Sequence, residues 1–215
     1  MKYFIFDCES TGLGNFDEVI QFSGLLFDET YEILDVVNFY CNTSKLISHE
    51  VENVHGLNNK ILNELSEGLF FEDKIIDYPW LYKPNGIVFI GYNVSFDIRM
   101  VNNTLRMAGF PAIDFGESVP KVPNKLITSG TGKNYNICLM HTLKQYLSLP
   151  RFMKLTQLFE KHVPESLNDI KTIRKNLVDF YKLEDNPNNT KDFHDSLLDS
   201  IATVCVFNRF KDFYL

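Results

Sequence analysis

The sequence has no long hydrophobic run: nothing in its 215 residues approaches the roughly 18 consecutive apolar residues that span a membrane. The first residues, MKYFIFD, contain one Lys and too few apolar residues for the hydrophobic region of a signal peptide. We therefore expect a soluble, cytoplasmic protein with no membrane partner.

Paired cysteines are also absent. The four cysteines (Cys8, Cys41, Cys138 and Cys205) are widely separated, form no C-x-x-C motif, and three of them lie inside apolar runs. This pattern is typical of free thiols that are buried in a protein from a reducing compartment.

The sequence lacks an excess of positive charge. It has 21 Lys and Arg against 28 Asp and Glu, a formal net charge of −7. The protein as a whole therefore has no general electrostatic attraction to phosphate backbones or anionic membranes. If the partner is a nucleic acid, cations must mediate the contact locally.

Apolar sequence is sufficient for one core. Hydrophobic residues make up 45% of the chain and aromatic residues 14%, which suits a single domain over residues 1–215. Three strand-like segments precede a helix, a strand and a helix, the pattern of an α/β protein with a mixed sheet. The predicted strands are 2–8, 18–28, 31–41 and 86–93.

Helical patterns occupy most of the remaining chain. They cover about 50–82, 95–109, 154–162, 166–183 and 193–211, with Ser95 as the expected cap of the second. A short strand followed by a helix is predicted within 136–147. Residues 110–135 contain Pro and Gly without periodicity, and a loop of this length is usually functional or mobile. Its segment SGTGKN, at 129–134, does not fit the Walker phosphate-loop pattern.

The segment FIFDCESTG, residues 4–12, places two acids where a core strand should continue. Because side chains alternate along a strand, Asp7 and Glu9 point to one face and Cys8 to the other. The carboxyl end of a central strand is where α/β sheets usually bind ligands. A solvated strand end explains an isolated pair of acids more simply, so further inward-facing acids are needed.

Two acids on predicted helices also face the core. Asp97 lies about 40° from Val101 around its helix, although stabilisation by the helix dipole also explains an acid in the first turn. Asp199 lies one heptad before Val206, on the apolar stripe of the last helix. If that helix begins near Phe193, Asp199 lies beyond the first turn and the dipole explanation is weaker.

Four inward-facing acids from three segments would repel one another strongly unless a cation lies among them. Carboxylate oxygens favour Mg²⁺ or Mn²⁺, and two such ions about 4 Å apart suit phosphodiester hydrolysis. That reaction needs a proton acceptor, and His194 is the candidate. Since positions i and i+5 diverge by about 140° around a helix, we expect His194 at the start of the last helix or just before it.

Three segments resemble the motifs of the DEDDh 3′→5′ exonucleases, a family that includes the proofreading epsilon subunit of bacterial DNA polymerase III and ribonuclease T. FDCESTG resembles the first motif, GYNVSFD the second and HDSLLD the third, and NVHGL at 53–57 resembles the family's V-H-G segment. The resemblance covers essentially residues 3–207. It implies one exonuclease domain with a ribonuclease H-like fold, in which helices flank a mixed five-stranded sheet.

The resemblance also implies roles for individual residues. Metal ligands would be Asp7, Glu9, Asp97 and Asp199, holding two Mg²⁺ or Mn²⁺ ions, and His194 would deprotonate the attacking water. Substrate contacts would come from Ser10, Thr11, Gly12, Asn93 and Phe96. For His55, a turn-stabilising hydrogen bond and a substrate-side role remain equally open. Asp195 occupies the position where the related tyrosine branch has Tyr, which favours the histidine branch.

Three positions depart from the family motifs: Ser10, Tyr92 and Ser196 replace the usual Thr, His and Ala. None removes a ligand, although Tyr92 could alter substrate preference. Phe96 and Phe193 could stack on terminal bases, and core packing explains them equally well.

Two groups of basic side chains could contact a nucleic-acid backbone, but a solvated surface is the default. They are Lys121, Lys125 and Lys133 in the 110–135 loop, and Lys171, Arg174 and Lys175 on the helix predicted over 166–183.

The leading hypothesis is a metal-dependent 3′→5′ exonuclease that acts on single-stranded 3′ ends, with DNA favoured, and releases nucleoside 5′-monophosphates. An RNA-trimming exonuclease shares every catalytic residue, because recognition of the 2′-OH depends on pocket geometry. A third hypothesis is a docking or binding module on the same scaffold, such as a weakly active subunit associated with a DNA polymerase. The intact set of ligands argues against that module.

Overall fold

The computed structural model describes residues 1–121, 132–189 and 191–214. Its centre is a mixed sheet. The strands are β1 (Lys2–Ser10), β2 (Val19–Phe27), β3 (Ile33–Tyr40), β4 (Ile87–Gly91), β5 (Glu117–Ser118) and β6 (Tyr135–Cys138). They lie in the order β3-β2-β1-β4-β6-β5, with β1 antiparallel to β2 and parallel to β4. The α/β class and the ribonuclease H-like arrangement are confirmed.

The sheet has six strands where five were predicted. The additional strand, β5, is only two residues long and pairs parallel with the start of β6. It lies in the 110–135 segment that we predicted to be a loop, and two residues are too few to show a strand period. Residues 122–131 of that segment, including Lys125, lie outside the described residues.

Nine helices lie within the described residues. They are α1 (His49–His55), α2 (Asn59–Leu65), α3 (Phe71–Ile75), α4 (Pro79–Tyr82), α5 (Val94–Met107), α6 (Leu139–Tyr146), α7 (Leu155–His162), α8 (Leu167–Tyr181) and α9 (Ser196–Tyr214). The single helical stretch predicted over 50–82 is therefore four short helices. Gly56, at φ 77°, ends the first of them in a left-handed cap, which glycine adopts without steric cost.

Apolar side chains cover both faces of the sheet. On one face, Phe4 and Phe6 of β1 pack with Met100 and Val101 of α5. On the other face, the alternate residues of β1 belong to the core cluster that contains the inner stripe of α9. This double burial explains why β1 is a nearly continuous apolar run, and it places α5 and α9 on opposite sides of the strand that carries the acids.

Buried hydrogen bonds attach the start of α9 to the sheet. The Oγ atoms of Ser23 and Ser196 are 2.5 Å apart, and Ser23 also donates to Asn38 Oδ1 at 2.6 Å. The Ser200 hydroxyl donates to the Ser23 carbonyl at 3.2 Å. The hydroxyl of Ser196, which replaces the usual alanine, therefore helps to fix the register of α9 against β2.

Two predicted helix boundaries were wrong. Helix α9 begins at Ser196 rather than near Phe193, because the Asp195 carboxylate accepts from the Leu198 N–H at 3.0 Å and caps the helix there. Asp199 consequently lies in the first turn, where we had expected it to lie beyond. Helix α5 is preceded by Asn93, which makes no side-chain capping bond, so Ser95 is not its cap.

The cysteines are free thiols, as predicted, and three of the four are buried. In the described part of the chain, no helix combines the length and the apolar character needed to cross a membrane.

Candidate active site

A pocket of about 520 Å³ opens at the carboxyl end of β1. It brings together ten of the eleven predicted site residues from four separated parts of the sequence. The site residues in its wall are Asp7, Glu9, Ser10, Gly12, His55, Asn93, Phe96, Asp97, His194 and Asp199. Thr11 is the one predicted site residue that does not line the pocket.

Asp7 and Glu9 enter the pocket from the carboxyl-terminal end of the central strand, β1. They lie opposite Ser23 and Gln21 of β2, and the strand register shifts between Glu9 and Ser10. Glu9 is 9% exposed. The two acids are therefore part of a paired strand within the fold, which rules out the simpler explanation of a solvated strand end.

Asp97 approaches from α5, on the other face of β1. Its Oδ1 accepts from the backbone N–H of Cys8 at 3.2 Å and from the Cys8 thiol at 3.3 Å. The thiol thus helps to orient a predicted metal ligand, a role that the sequence analysis missed. The one available signal was its position between the two acids of the first motif.

Asp199 approaches from the first turn of α9 and meets His194 just before that helix. One ligand atom from each of Glu9, His194 and Asp199 lies within 4.8 Å of the other two. The His194 backbone N–H donates to Asp199 Oδ2 at 3.2 Å. Within the described residues, Asp199 Oδ1 is buried and has no hydrogen-bond partner, so it is available to a ligand that enters the pocket.

The four carboxylates have raised pKa values in the protein without metal. Burial, followed by repulsion from Asp97 and Asp199, raises the pKa of Asp7 well above its usual value, and burial likewise raises that of Glu9. Burial raises the pKa of Asp97 to about 7 and that of Asp199 to about 8. A group of acids that resists ionisation in this way fits divalent cations with oxygen ligands, which would stabilise the ionised forms.

His194 is the exposed member of the group and lies directly before the capping residue of α9, as its spacing predicted. Desolvation, with smaller effects from the positive charges of Lys154 and Lys191, lowers its pKa below the usual value. The imidazole is therefore neutral near pH 7, the state in which it can accept a proton.

His55 is buried, with 2% of its surface exposed, and its two ring nitrogens differ in their hydrogen bonding. Its Nδ1 accepts from the Leu57 N–H at 3.0 Å, which assigns the proton of the neutral ring to Nε2. Nε2 is buried and makes no hydrogen bond of normal geometry among the described residues, although the Ser10 backbone lies close enough to oppose the lowering of the ring's pKa. Burial and the neighbouring His194 lower that pKa to about 4. The turn-stabilising bond is present, and the ring lines the pocket as a neutral group.

The Asp17 carboxylate accepts hydrogen bonds from the turn after β1 and stabilises it. Thr11 Oγ1 donates to Asp17 Oδ1 at 3.0 Å, and a Cβ atom on Gly12 would lie 2.6 Å from Asp17 Oδ2. Thr11 therefore holds the turn rather than lining the pocket, as its buried hydroxyl requires a partner within the protein. Ser10 Oγ donates to the Gly12 carbonyl at 2.6 Å.

Part of the pocket wall is apolar. It is formed by Leu13, Val51, Val54, Phe96 and Leu155. Leu13 is 80% exposed, so this wall continues to the protein surface. None of these residues except Phe96 was identified from sequence, because isolated apolar residues in short helices and turns carry no functional signature.

Two other predictions are resolved by side-chain contacts. Phe193 packs against Phe159, with ring centroids 6.3 Å apart, and belongs to the core rather than to the pocket. The Tyr92 hydroxyl donates to the Met153 carbonyl at 2.7 Å. Tyr92 lines the pocket with its ring while its polar end is used for packing within the protein.

The basic residues outside the pocket behave in different ways. Lys175 is exposed, as expected of a solvated helix face, and Lys171 is exposed but its ammonium group pairs with the Asp192 carboxylate. For Arg174, on the same helix, the prediction of a solvated side chain was wrong. Its side chain is 15% exposed and forms ion pairs with Asp185 and Asp195 at 2.9 Å each. The ammonium group of Lys121 lies 4.3 Å from the centroid of the Phe213 ring.

The family model described as exonuclease (RNase_T) matches residues 4–207. The chain belongs to this exonuclease family. The match extends from β1 into α9 and so includes every element that lines the pocket. It agrees with the resemblance drawn from the sequence motifs.

Curated relatives of this exonuclease family member include two DNA polymerases. The chain is 30% identical over 121 residues to the PolC-type DNA polymerase III of Ureaplasma parvum, covering 52% of this chain and 8% of the relative. It is 25% identical over 131 residues to the corresponding protein of Staphylococcus haemolyticus, covering 60% of this chain and 8% of the relative. The chain thus corresponds to a small part of each polymerase.

Solved structures of exonuclease I share the fold. The structure of E. coli exonuclease I in complex with a dA16 oligonucleotide has a TM-score of 0.62 at 16% identity, over 98% of this chain and 41% of that one. Exonuclease I from Methylocaldum szegediense has a TM-score of 0.61 at 18% identity, over 98% of this chain and 40% of that one. Since the chain spans less than half of each, the likeness concerns the exonuclease fold alone.

Proposed function

We propose that the protein is a metal-dependent 3′→5′ exonuclease that hydrolyses phosphodiester bonds at the 3′ ends of single-stranded DNA and releases nucleoside 5′-monophosphates. One observation carries the proposal. Four largely buried carboxylates with raised pKa values and one histidine with a lowered pKa converge on the same pocket. Neither packing nor surface solvation accounts for such an arrangement.

The four carboxylates would hold two divalent ions, Mg²⁺ or Mn²⁺. Asp7 interacts with the other three acids, since the charges of Asp97, Asp199 and Glu9 all raise its pKa. The buried Oδ1 of Asp199, which has no partner among the described residues, is a ready ligand atom. Bound at these oxygens, the ions would supply positive charge that stabilises the attacking and leaving oxygens of the displacement.

The protein's own groups would bind and orient the substrate and move one proton. Neutral His194 accepts the proton of the attacking water at the exposed side of the pocket. The neutral ring of His55, which lines the pocket, contacts the terminal nucleotide. The apolar wall around Phe96 and Leu13 contacts the sugar and base of the terminal nucleotide. An unpaired 3′ end can enter the pocket more easily than one that is paired with a second strand.

The comparisons support DNA as the substrate and a DNA polymerase as the partner of this domain, since the curated relatives are PolC-type DNA polymerases III. Two of the E. coli exonuclease I structures contain a dA16 or a dT13 oligonucleotide, and a third is a complex with single-stranded DNA, which supports the same class of substrate. Because the net charge is −7, we expect metal ions to attract the phosphates. A single domain over 1–215 and a cytoplasmic location remain predictions from sequence.

A labelled oligonucleotide assay tests the proposal. A 5′-labelled single-stranded DNA incubated with Mg²⁺ or Mn²⁺ should shorten stepwise from its 3′ end, and the released products should be nucleoside 5′-monophosphates. The ladder should disappear with EDTA and with Asp7→Ala, whereas Asp179→Ala, at an exposed acid outside the pocket, should leave it unchanged. A ladder that persists in EDTA, or faster shortening of RNA than of DNA, would contradict the proposal as stated.

A further inference from the structure

His194 has a backbone conformation that needs support. Its φ angle is 66°, in the left-handed region that residues other than glycine rarely adopt. The pre-α9 segment, residues 191–195, has no regular secondary structure. Residues in this region persist only where their surroundings over-determine them. The predicted proton acceptor therefore depends on contacts made by its neighbours.

The segment has an exposed ion pair between Asp192 and Lys171 and a buried one at the residue after His194, Asp195. The Asp195 carboxylate accepts two hydrogen bonds from the Arg174 guanidinium, from Nε at 2.9 Å and from Nη2 at 2.9 Å. Asp195 is 2% exposed. Two parallel bonds between a planar guanidinium and a carboxylate fix orientation as well as distance. Arg174 on α8 thus determines where the pre-α9 segment ends.

The same carboxylate determines where α9 begins. Asp195 Oδ1 accepts from the Leu198 N–H at 3.0 Å, and the Asp195 carbonyl accepts from the Asp199 N–H at 2.9 Å. His194 directly precedes this capped turn, and its own N–H donates to Asp199 Oδ2. A displacement of Asp195 would therefore move His194 relative to Asp199.

Arg174 does not contact the active-site pocket. It lines a separate cavity of about 440 Å³, on the other side of Asp195, and its Nη1 is held by Asp185 Oδ1 at 2.9 Å. Asn189 Nδ2 adds a bond to Asp195 Oδ2 at 3.2 Å. Any effect of Arg174 on catalysis must therefore pass through the residues that Asp195 holds.

We propose that Arg174 and Asp195 are positioning residues for the hydrolysis: their two-bond ion pair sets the place of the His194 imidazole beside the carboxylates. The inference rests on the proposed function and extends it to two residues outside the pocket. Both the geometry and the charge of the pair are required, because the ammonium group of a lysine cannot make the two parallel hydrogen bonds of the planar guanidinium.

Two variants and a matched control separate geometry from charge. Arg174→Lys keeps the positive charge and removes the fork, and Asp195→Asn keeps an acceptor for Leu198 while it weakens the pair. Lys175→Arg, on the exposed neighbouring position of the same helix, is the control. We expect both variants to lower kcat about 10- to 100-fold with KM unchanged, since a small misplacement of a catalytic group has effects of this size. Wild-type kcat in Arg174→Lys would overturn the proposal.

A double-mutant cycle with His194→Ala tests whether Arg174 acts through the histidine. In the His194→Ala background, Arg174→Lys should change the remaining kcat by less than about twofold. A general loss of folded protein would lower kcat by the same factor in both backgrounds. Equal losses would therefore contradict a positioning role.

Hydrogen exchange gives a measurement that does not depend on nuclease activity. The amide of His194, which donates to Asp199 Oδ2, should exchange faster in Arg174→Lys than in Lys175→Arg, while the amides of β1 are unchanged. If wild-type protein cleaves no DNA but this difference is present, the proposed function fails, while the role of the ion pair in holding the pre-α9 segment stands. If cleavage is normal and exchange is unchanged, the further inference alone is wrong.

Discussion

The two flanks of the pocket are held in place by different forces. On the α5 side, Asp97 projects from a helix that packs on the sheet through an aromatic core, in which Phe89 contacts Phe4, Phe6 and Phe115. On the α9 side, His194 lies in an irregular segment held by hydrogen bonds and ion pairs, chiefly those of Arg174 and Asp195.

This difference separates stability from precision. Burial of large apolar groups is insensitive to direction and stabilises the fold as a whole, whereas a bidentate ion pair depends on orientation and fixes one segment. The aromatic flank should therefore contribute chiefly to the stability of the protein. The polar flank should determine how well the proton acceptor is placed.

The substitution with the largest expected effect removes the acid that both flanks surround. Asp7→Ala should lower kcat by about 1,000-fold or more, because metal ions stabilise the transition state by several kcal/mol. The protein should stay folded, since the change relieves repulsion among buried acids. Oligonucleotide cleavage and circular dichroism measure the two effects. Retention of a tenth of the activity would show that Asp7 is not a metal ligand.

His194→Ala tests the polar flank directly. We expect kcat to fall by about 100-fold, the usual size of general base catalysis, while affinity for Mn²⁺ remains, since the four carboxylates are intact. Single-turnover cleavage and Mn²⁺ titration check these outcomes. Loss of metal binding together with activity would instead make His194 a ligand.

The raised pKa values predict how stability depends on pH without metal. Asp97 and Asp199 titrate at about 7 and about 8 in the folded protein, against about 4 when unfolded. Between those values these two acids bind more protons in the folded state than in the unfolded state, so their contribution to stability is greatest at low pH and falls as pH rises towards 8. The lowered pKa of His55 opposes this effect only below about pH 6.5. Each pKa unit corresponds to about 1.4 kcal/mol, so we expect the melting temperature to fall by at least about 3 °C from pH 5.5 to pH 8.

Divalent metal is the control for that measurement. With saturating Mg²⁺ or Mn²⁺ the acids are ionised and stabilised, so the decrease between pH 5.5 and pH 8 should be smaller or absent. The same decrease with and without metal, in thermal unfolding followed by circular dichroism, would show that the buried acids are not the cause.

The smallest effect on catalysis is expected on the aromatic flank. Phe89→Leu should lower the free energy of unfolding by about 1–3 kcal/mol, because Phe89 is fully buried among other rings. Its kcat per folded molecule should change by less than about twofold. Urea unfolding and cleavage rates compare the two. A tenfold loss of kcat would break the distinction between the flanks.

The sequence was informative where the signal is local and periodic. The strand pattern of β1 and the heptad relation of Asp199 to Val206 predicted which elements meet, and the helical angle between His194 and Asp199 predicted a break before α9. The α/β class and the mixed sheet follow from the same patterns.

Features that depend on tertiary contacts could not be predicted. The start of α9 is set by Asp195, whose carboxylate is oriented by Arg174 from 21 residues earlier. Thr11 was assigned to the substrate because its motif position says nothing of Asp17, the acceptor that its hydroxyl reaches. In the sequence Arg174 resembles its exposed neighbours Lys171 and Lys175, and only the fold brings two acids to its buried guanidinium.

Calorimetric titration of Mn²⁺ into the metal-free protein tests the central claim most directly. If the four acids form one metal centre, the wild-type protein should take up two ions, and Asp7→Ala should lose most of this uptake, while Asp179→Ala should match the wild type. Equal uptake by all three proteins, or none by the wild type, would contradict the account.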